Sequence, residues 1–145
     1  MAHTLVEFAR SVQTNLDNGV IVPLNATPKL ILEFGMNVPT ATNFTELTTS
    51  VGWQATNVFV TPPEQPKLLL QILMDGVVVS SAEQKSISTD EDGMIEMTTA
   101  FHSILANVSV GFHVIQVFAS NPEDLQGDIT ITGPVNITGR VYAPA

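Results

Sequence analysis

The sequence predicts an all-β protein, a two-sheet antiparallel jelly roll of about eight to ten strands, in one domain covering residues 1–145. Three observations predict it. Pro and Gly punctuate the chain roughly every ten residues, with Thr, Val and Ile between them, which is the rhythm of a sandwich or barrel. Asp75-Gly76 separates two apolar runs, and a two-residue hairpin turn needs the positive φ that Asp-Gly tolerates. No repeat, low-complexity tract or linker divides the chain.

The elements follow in order. Residues 4–16 carry apolar side chains at helical spacing, but Val6, Phe8 and Val12 also share one strand face with Arg10. A strand is favoured, because the rest of the chain is β and "LDNG" is a turn. "VIVPLN" (20–25) is a short strand, and Pro23 suits an edge. "KLILEFGMNV" (29–38) is a strand with Leu30, Leu32 and Phe34 on one face and Ile31 and Glu33 on the other. Residues 43–61 form one or two strands broken near Gly52, with Trp53 in the middle. "PPEQP" (62–66) is a stiff loop, and "STDEDG" (88–93) an acidic turn. Residues 94–106 are extended, "NVSVG" (107–111) turns the chain, and "FHVIQVFAS" (112–120) is a strand. "NPEDLQGD" (121–128) is a loop, and 129–143 closes the fold with β-branched alternation, kinked at Gly133-Pro134.

The hairpin "LLLQILMDGVVVSS" (68–81) carries the functional expectation. Its turn sets Met74 opposite Val77, Leu73 opposite Val78, Ile72 opposite Val79 and Gln71 opposite Ser80. One face then holds Leu70, Ile72, Met74, Val77 and Val79. The other holds Leu69, Leu73, Val78 and Ala82, interrupted only by Gln71 and Ser80. A sheet with one wet face alternates apolar and polar. A pair apolar on both sides predicts a second covering surface, supplied by other copies of the chain.

Composition points the same way. Charged residues are 13% of the chain, about half the usual share, and mean hydropathy is +0.26. No run approaches the ~18 apolar residues of a membrane helix, so no membrane insertion is expected. Fourteen acids against five scattered bases argue against nucleic acid, which needs clustered Lys and Arg. The net charge of −9 serves to keep an assembly dispersed. There is no cysteine, hence no disulfide framework. "MAHTLVEFARS" shows no secretory pattern, so the sequons at Asn25, Asn43, Asn107 and Asn136 are expected to reflect composition rather than glycosylation.

Chemistry is sparse. His102 and His113 flank the 107–111 turn and are expected to be cross-strand neighbours, each a half-buried imidazole bonded nearby rather than a metal ligand. Asp90, Glu91, Asp92 and Glu96, and separately Glu123, Asp124 and Asp128, read as solvated acidic loops rather than calcium sites. No Gly-x-Ser-x-Gly elbow or phosphate loop occurs, and Ser103 near a His lacks a third partner. No catalytic residue, cofactor or metal is expected.

Three segments, "LLLQILMDGVVVSS", "FHSILANVSVGFHVIQVFA" (101–119) and "VNITGRVYA" (135–143), resemble the tumour-necrosis-factor and complement-globular-head superfamily. Among its bacterial and phage versions are the heads of spore-surface collagen-like glycoproteins and some fibre tips. The resemblance spans about residues 29–145. It implies a homotrimeric jelly roll displayed on a spore, cell or virion surface, with self as partner and surface-layer proteins or glycans as further partners. No Gly-X-Y stalk or anchoring leader accompanies it, so a stalk-borne role is not implied. The resemblance and the hairpin together nominate Leu69, Leu73, Val78, Phe101, Phe112, Phe118 and Tyr142 for the interface, since aromatics dominate such contacts. Trp53 reads first as a core side chain, and is the candidate for stacking on a sugar if the domain is instead a glycan- or receptor-binding head. A cupin-type metal enzyme is the third reading.

Overall fold

The structure, a computed structural model, describes residues 2–58, 65–86 and 94–144. Nine strands occur among them: β1 (His3–Thr14), β2 (Val22–Leu24), β3 (Lys29–Val38), β4 (Phe44–Thr56), β5 (Lys67–Met74), β6 (Val77–Lys85), β7 (Ile95–Ala106), β8 (Gly111–Ser120) and β9 (Asp128–Pro144). The first sheet has the order β1-β9-β4-β7, with β2 also paired to β9; the second has the order β3-β8-β5-β6. From β2 onward, every connection but the β5–β6 hairpin crosses from one sheet to the other. That order is the jelly roll expected from the strand count. Residues 59–64 and the acidic turn at 88–93 lie outside the described residues, and with them most of "PPEQP" and the carboxylates of 90–92.

The core lies between the sheets. Leu47, Val51 and Trp53 of β4 and Ile131, Val135 and Ile137 of β9 share it with Met36, Leu70, Ile72, Ile115 and Val117 of the second sheet. Each such side chain contributes about 1.5–3 kcal/mol through burial.

Four register shifts re-aim side chains and correct the expected faces. In β1 the shift between Leu5 and Glu7 puts Leu5, rather than Val6, on one face with Phe8 and Val12. In β6 one residue is extra, so Ile72 pairs with Ser80 and Gln71 with Ser81, rather than with Val79 and Ser80. A one-residue slip inverts every side chain beyond it. Ala82 therefore lies opposite buried Leu70 on the core side, and Ser81, Glu83 and Lys85 are exposed. The second hairpin face is apolar only at Leu69, Leu73 and Val78, not along its length. In β3 the register shifts between Leu30 and Leu32, which turns Leu30 outward and buries both Ile31 and Leu32. In β9 the shift opposite Gly52 contains the expected kink at Gly133-Pro134. A Cβ on Gly52 would strike the Gly133 carbonyl, so β4 runs unbroken there because the residue is glycine.

The two lateral seams of the sandwich differ. At the β1–β3 seam, Ser11 Oγ accepts the Glu33 amide at 3.4 Å and Glu7 Oε2 accepts the Asn37 amide at 3.1 Å. At the β6–β7 seam, the Ser80 and Ser103 hydroxyls bond each other. Next to them, Trp53 Nε1 donates to Thr99 Oγ1 at 2.8 Å, and that hydroxyl donates to Gln84 Oε1. Towards the β5–β6 turn these rungs stop and the seam opens into a cleft.

Candidate functional site

The outward face of the first sheet carries the largest aromatic group among the described residues. Because Leu5 pairs with Tyr142 and Tyr142 with Phe44, alternation brings all three to one rung. The Phe44 and Tyr142 rings stack with centroids 4.9 Å apart, and His3 meets Phe44 edge-on at 5.0 Å. On the next rung Phe8 lies beside Arg140, whose guanidinium sits 5.4 Å from the Phe8 ring centre. A cation over an aromatic face is attracted by its quadrupole. Arg10 and Val12 continue the stripe, and a hollow of about 540 Å³ is lined by Phe8, Arg10, Val12, Asn15, Asn136 and Thr138. Leu5 is 48% exposed, Phe8 44% and Val12 45%. Glu46 is the acid on these rungs, facing His102 at 3.6 Å, against Arg10 and Arg140. On these rungs of a chain of net charge −9, two arginines thus meet one carboxylate, while Glu96 and Asp128 lie at the far end of the same face.

The seven nominated interface residues are not brought together. Leu69, Leu73, Val78, Phe112 and Phe118 lie on the outward face of the second sheet, with the Phe112 ring against Gly35. Phe101 pairs with Thr49 and packs against the core. Tyr142 is on the other sheet, in the aromatic rung. Trp53 is corrected outright: it is 1% exposed, its indole N–H is bonded to Thr99, and no ring face is open to a sugar.

The histidines also separate. β7 and β8 belong to different sheets, so His102 and His113 are not cross-strand neighbours. His113 is buried at the open end of the β6–β7 seam. Its Nδ1–H donates to Asp75 Oδ2 at 2.6 Å and its Nε2–H donates to the Ser109 carbonyl at 2.6 Å. Both ring nitrogens face acceptors, which favours the imidazolium. The Ser109 carbonyl, and then the Asp75 carboxylate, hold the His113 pKa above its ordinary value. The Val114 amide, donating to Asp75 Oδ1 at 2.8 Å, and then His113 hold the Asp75 pKa below its ordinary value. Ser109 Oγ is 3.4 Å from Nε2, yet that nitrogen is already donating, so the Ser-His-Asp grouping lacks a free base.

Among the described residues no group of three or more His, Asp or Glu is placed to hold a metal ion, and no helix is long and apolar enough to cross a membrane. Glu123, Asp124 and Asp128 each engage a different protein donor: the Gln126 side chain, the Ala26 amide and the Asn57 side chain. Asn43 of the second sequon is buried, its Nδ2 donating to the Thr40 and Val108 carbonyls.

The chain matches no protein-family model and no curated protein.

The His113–Asp75 pair and the β1 stripe escaped the sequence reading for different reasons. Asp75 was legible only as a turn residue, and its partner is 38 positions away. The stripe had a signal, Phe8, Arg10 and Val12 on one strand face, but nothing in the sequence paired it with Tyr142.

Proposed function

We propose that the chain is a non-enzymatic structural or interaction module that works as a homotrimer, displayed on the surface of a spore, cell or virus particle. The outward face of the first sheet is the contact between copies. The observation that carries this is the Leu5–Tyr142–Phe44 rung with Phe8, Arg140 and Val12 beside it, where Leu5, Phe8 and Val12 are nearly half exposed in the single chain and Phe44, Tyr142 and Arg140 are partly exposed. Large aromatics with Arg, and few acids, are the make-up of interface centres. Among the other described residues nine acids meet three bases, which disfavours approach of copies through other faces. The number three and the surface setting rest on the resemblance carried by the hairpin, the 101–119 segment and the last strand.

This reading moves the interface away from Leu73 and Val78 and keeps Tyr142. The test compares Phe8→Glu with Leu73→Glu and Val78→Lys by light scattering, with circular dichroism to report folding. Phe8→Glu is expected to give folded monomers, because the ring is not part of the subunit core, while Leu73→Glu and Val78→Lys remain assembled. Dissociation by Leu73→Glu or Val78→Lys instead would place the contact on the second sheet. Assembly untouched by all three would remove both faces.

A further inference from the structure

The seam between β6 and β7 is hydrogen-bonded at Ser80–Ser103 and Gln84–Thr99, then opens beside the β5–β6 turn. The opening is a cleft of about 530 Å³, within the range of small-molecule sites. Met74, Val77, Val79, Ile104, Leu105 and Val108 form its walls, with Val77 and Ile104 both largely exposed. Asp75, His113 and Ser109 supply the polar lining. Their hydrogen bonds decide what that lining recognises. Both His113 N–H groups are consumed, by Asp75 and by the Ser109 carbonyl. Each Asp75 oxygen accepts one bond, from His113 or from the Val114 amide, and the side chain is 48% exposed. A carboxylate has about four acceptor positions, so lone pairs remain open to a ligand. The described polar side chains of the lining therefore offer acceptors, with the Ser109 hydroxyl as a side-chain donor. His113 offsets part of the Asp75 charge, but the chain as a whole is at −9.

We propose that this cleft binds a small amphiphilic cation, an alkylammonium or alkylguanidinium, with its apolar body between β6 and β7 and its head donating to Asp75. An anionic head would find no free cationic donor there. A neutral alcohol would donate to the same carboxylate but without the attraction between opposite charges.

The test is a nuclear magnetic resonance titration of the full chain at about pH 6, where amine and carboxylate are both charged, with hexylamine, hexanol and hexanoate. Hexylamine should give saturable shifts at the Val114 amide and the His113 ring at roughly millimolar concentration, in keeping with so small a ligand. Hexanol and hexanoate should bind at least about tenfold more weakly. Asp75→Asn keeps a residue that tolerates the turn's positive φ and should weaken hexylamine about tenfold or more. Val77→Lys, at an exposed position, places a competing ammonium at the mouth and should do the same without disturbing the fold. Equal binding of hexanol and hexylamine, shifts scattered away from the cleft, or undiminished binding to Val77→Lys would each overturn the proposal.

Discussion

His113 ties two turns together: its Nδ1 is 2.6 Å from Asp75 in the β5–β6 turn, and its Nε2 is 2.6 Å from the Ser109 carbonyl before β8. Asp75 is the one other charged group among the described residues that line the cleft around it. The pair has a pH window. His113 has a raised pKa, so its contribution is full below the ordinary 6.5 and is lost as pH rises through the higher folded value. Asp75 has a lowered pKa, so its contribution is full above 3.8 and is lost as pH falls through the lower folded value. Denaturant unfolding should therefore show a stability plateau between those limits that His113→Gln flattens. A His113→Gln profile that overlays the wild-type one would contradict the clamp.

Trp53 is a core residue with one polar obligation. Trp53→Phe removes the donor to Thr99 and should cost about 1–3 kcal/mol, and Trp53→Ala about 3–5 kcal/mol through the cavity it leaves. Chemical denaturation measures both. A Trp53→Ala protein of undiminished stability would be incompatible with an indole at the centre of the sandwich.

Gly52 faces the Gly133 carbonyl across the β4–β9 bulge. Gly52→Ala must push the strands apart, and should lower stability by about 1–3 kcal/mol as overpacking does. Gly76→Ala is strained for a different reason: its φ is +84°, with open space around the Cβ. Its cost should come from the backbone alone and be about 1 kcal/mol. Thermal unfolding of the two variants should rank them in that order.

Thr45 and Thr49 are fully buried on β4, and neither hydroxyl has a hydrogen-bond partner among the described residues. An unsatisfied buried hydroxyl costs about 1–3 kcal/mol. Thr45→Val and Thr49→Val should thus be neutral or stabilising. A loss of more than about 1 kcal/mol in either, by urea unfolding, would show that the hydroxyl is satisfied.

Much of this fold was legible in the sequence because its signals are local. Asp75-Gly76 fixed a turn, β-branched alternation fixed the last strand, and Gly133-Pro134 marked a kink that became a register shift. What was not legible depends on pairing. The extra residue at Val79 has no signature in "GVVVSS", yet it sends Glu83 and Lys85 outward and Ala82 inward. The same is true at Leu30–Leu32, where apolar residues run together and either phase looks plausible. Nothing local to Trp53 fixes which way its ring faces; β9 laid beside it, with Ile131 as its neighbour, puts it in the core. The aromatic rung joins residues 5, 44 and 142, a grouping that only the jelly-roll order creates.

The central claim is that copies of this chain cover the Leu5–Phe8–Tyr142 face of one another. Sedimentation of the unmodified protein over a dilution series tests it most directly. The predicted result is one species at three times the 15.6 kDa chain mass, persisting on dilution. A single species of 15.6 kDa at every concentration, well folded and with that face in water, would contradict it.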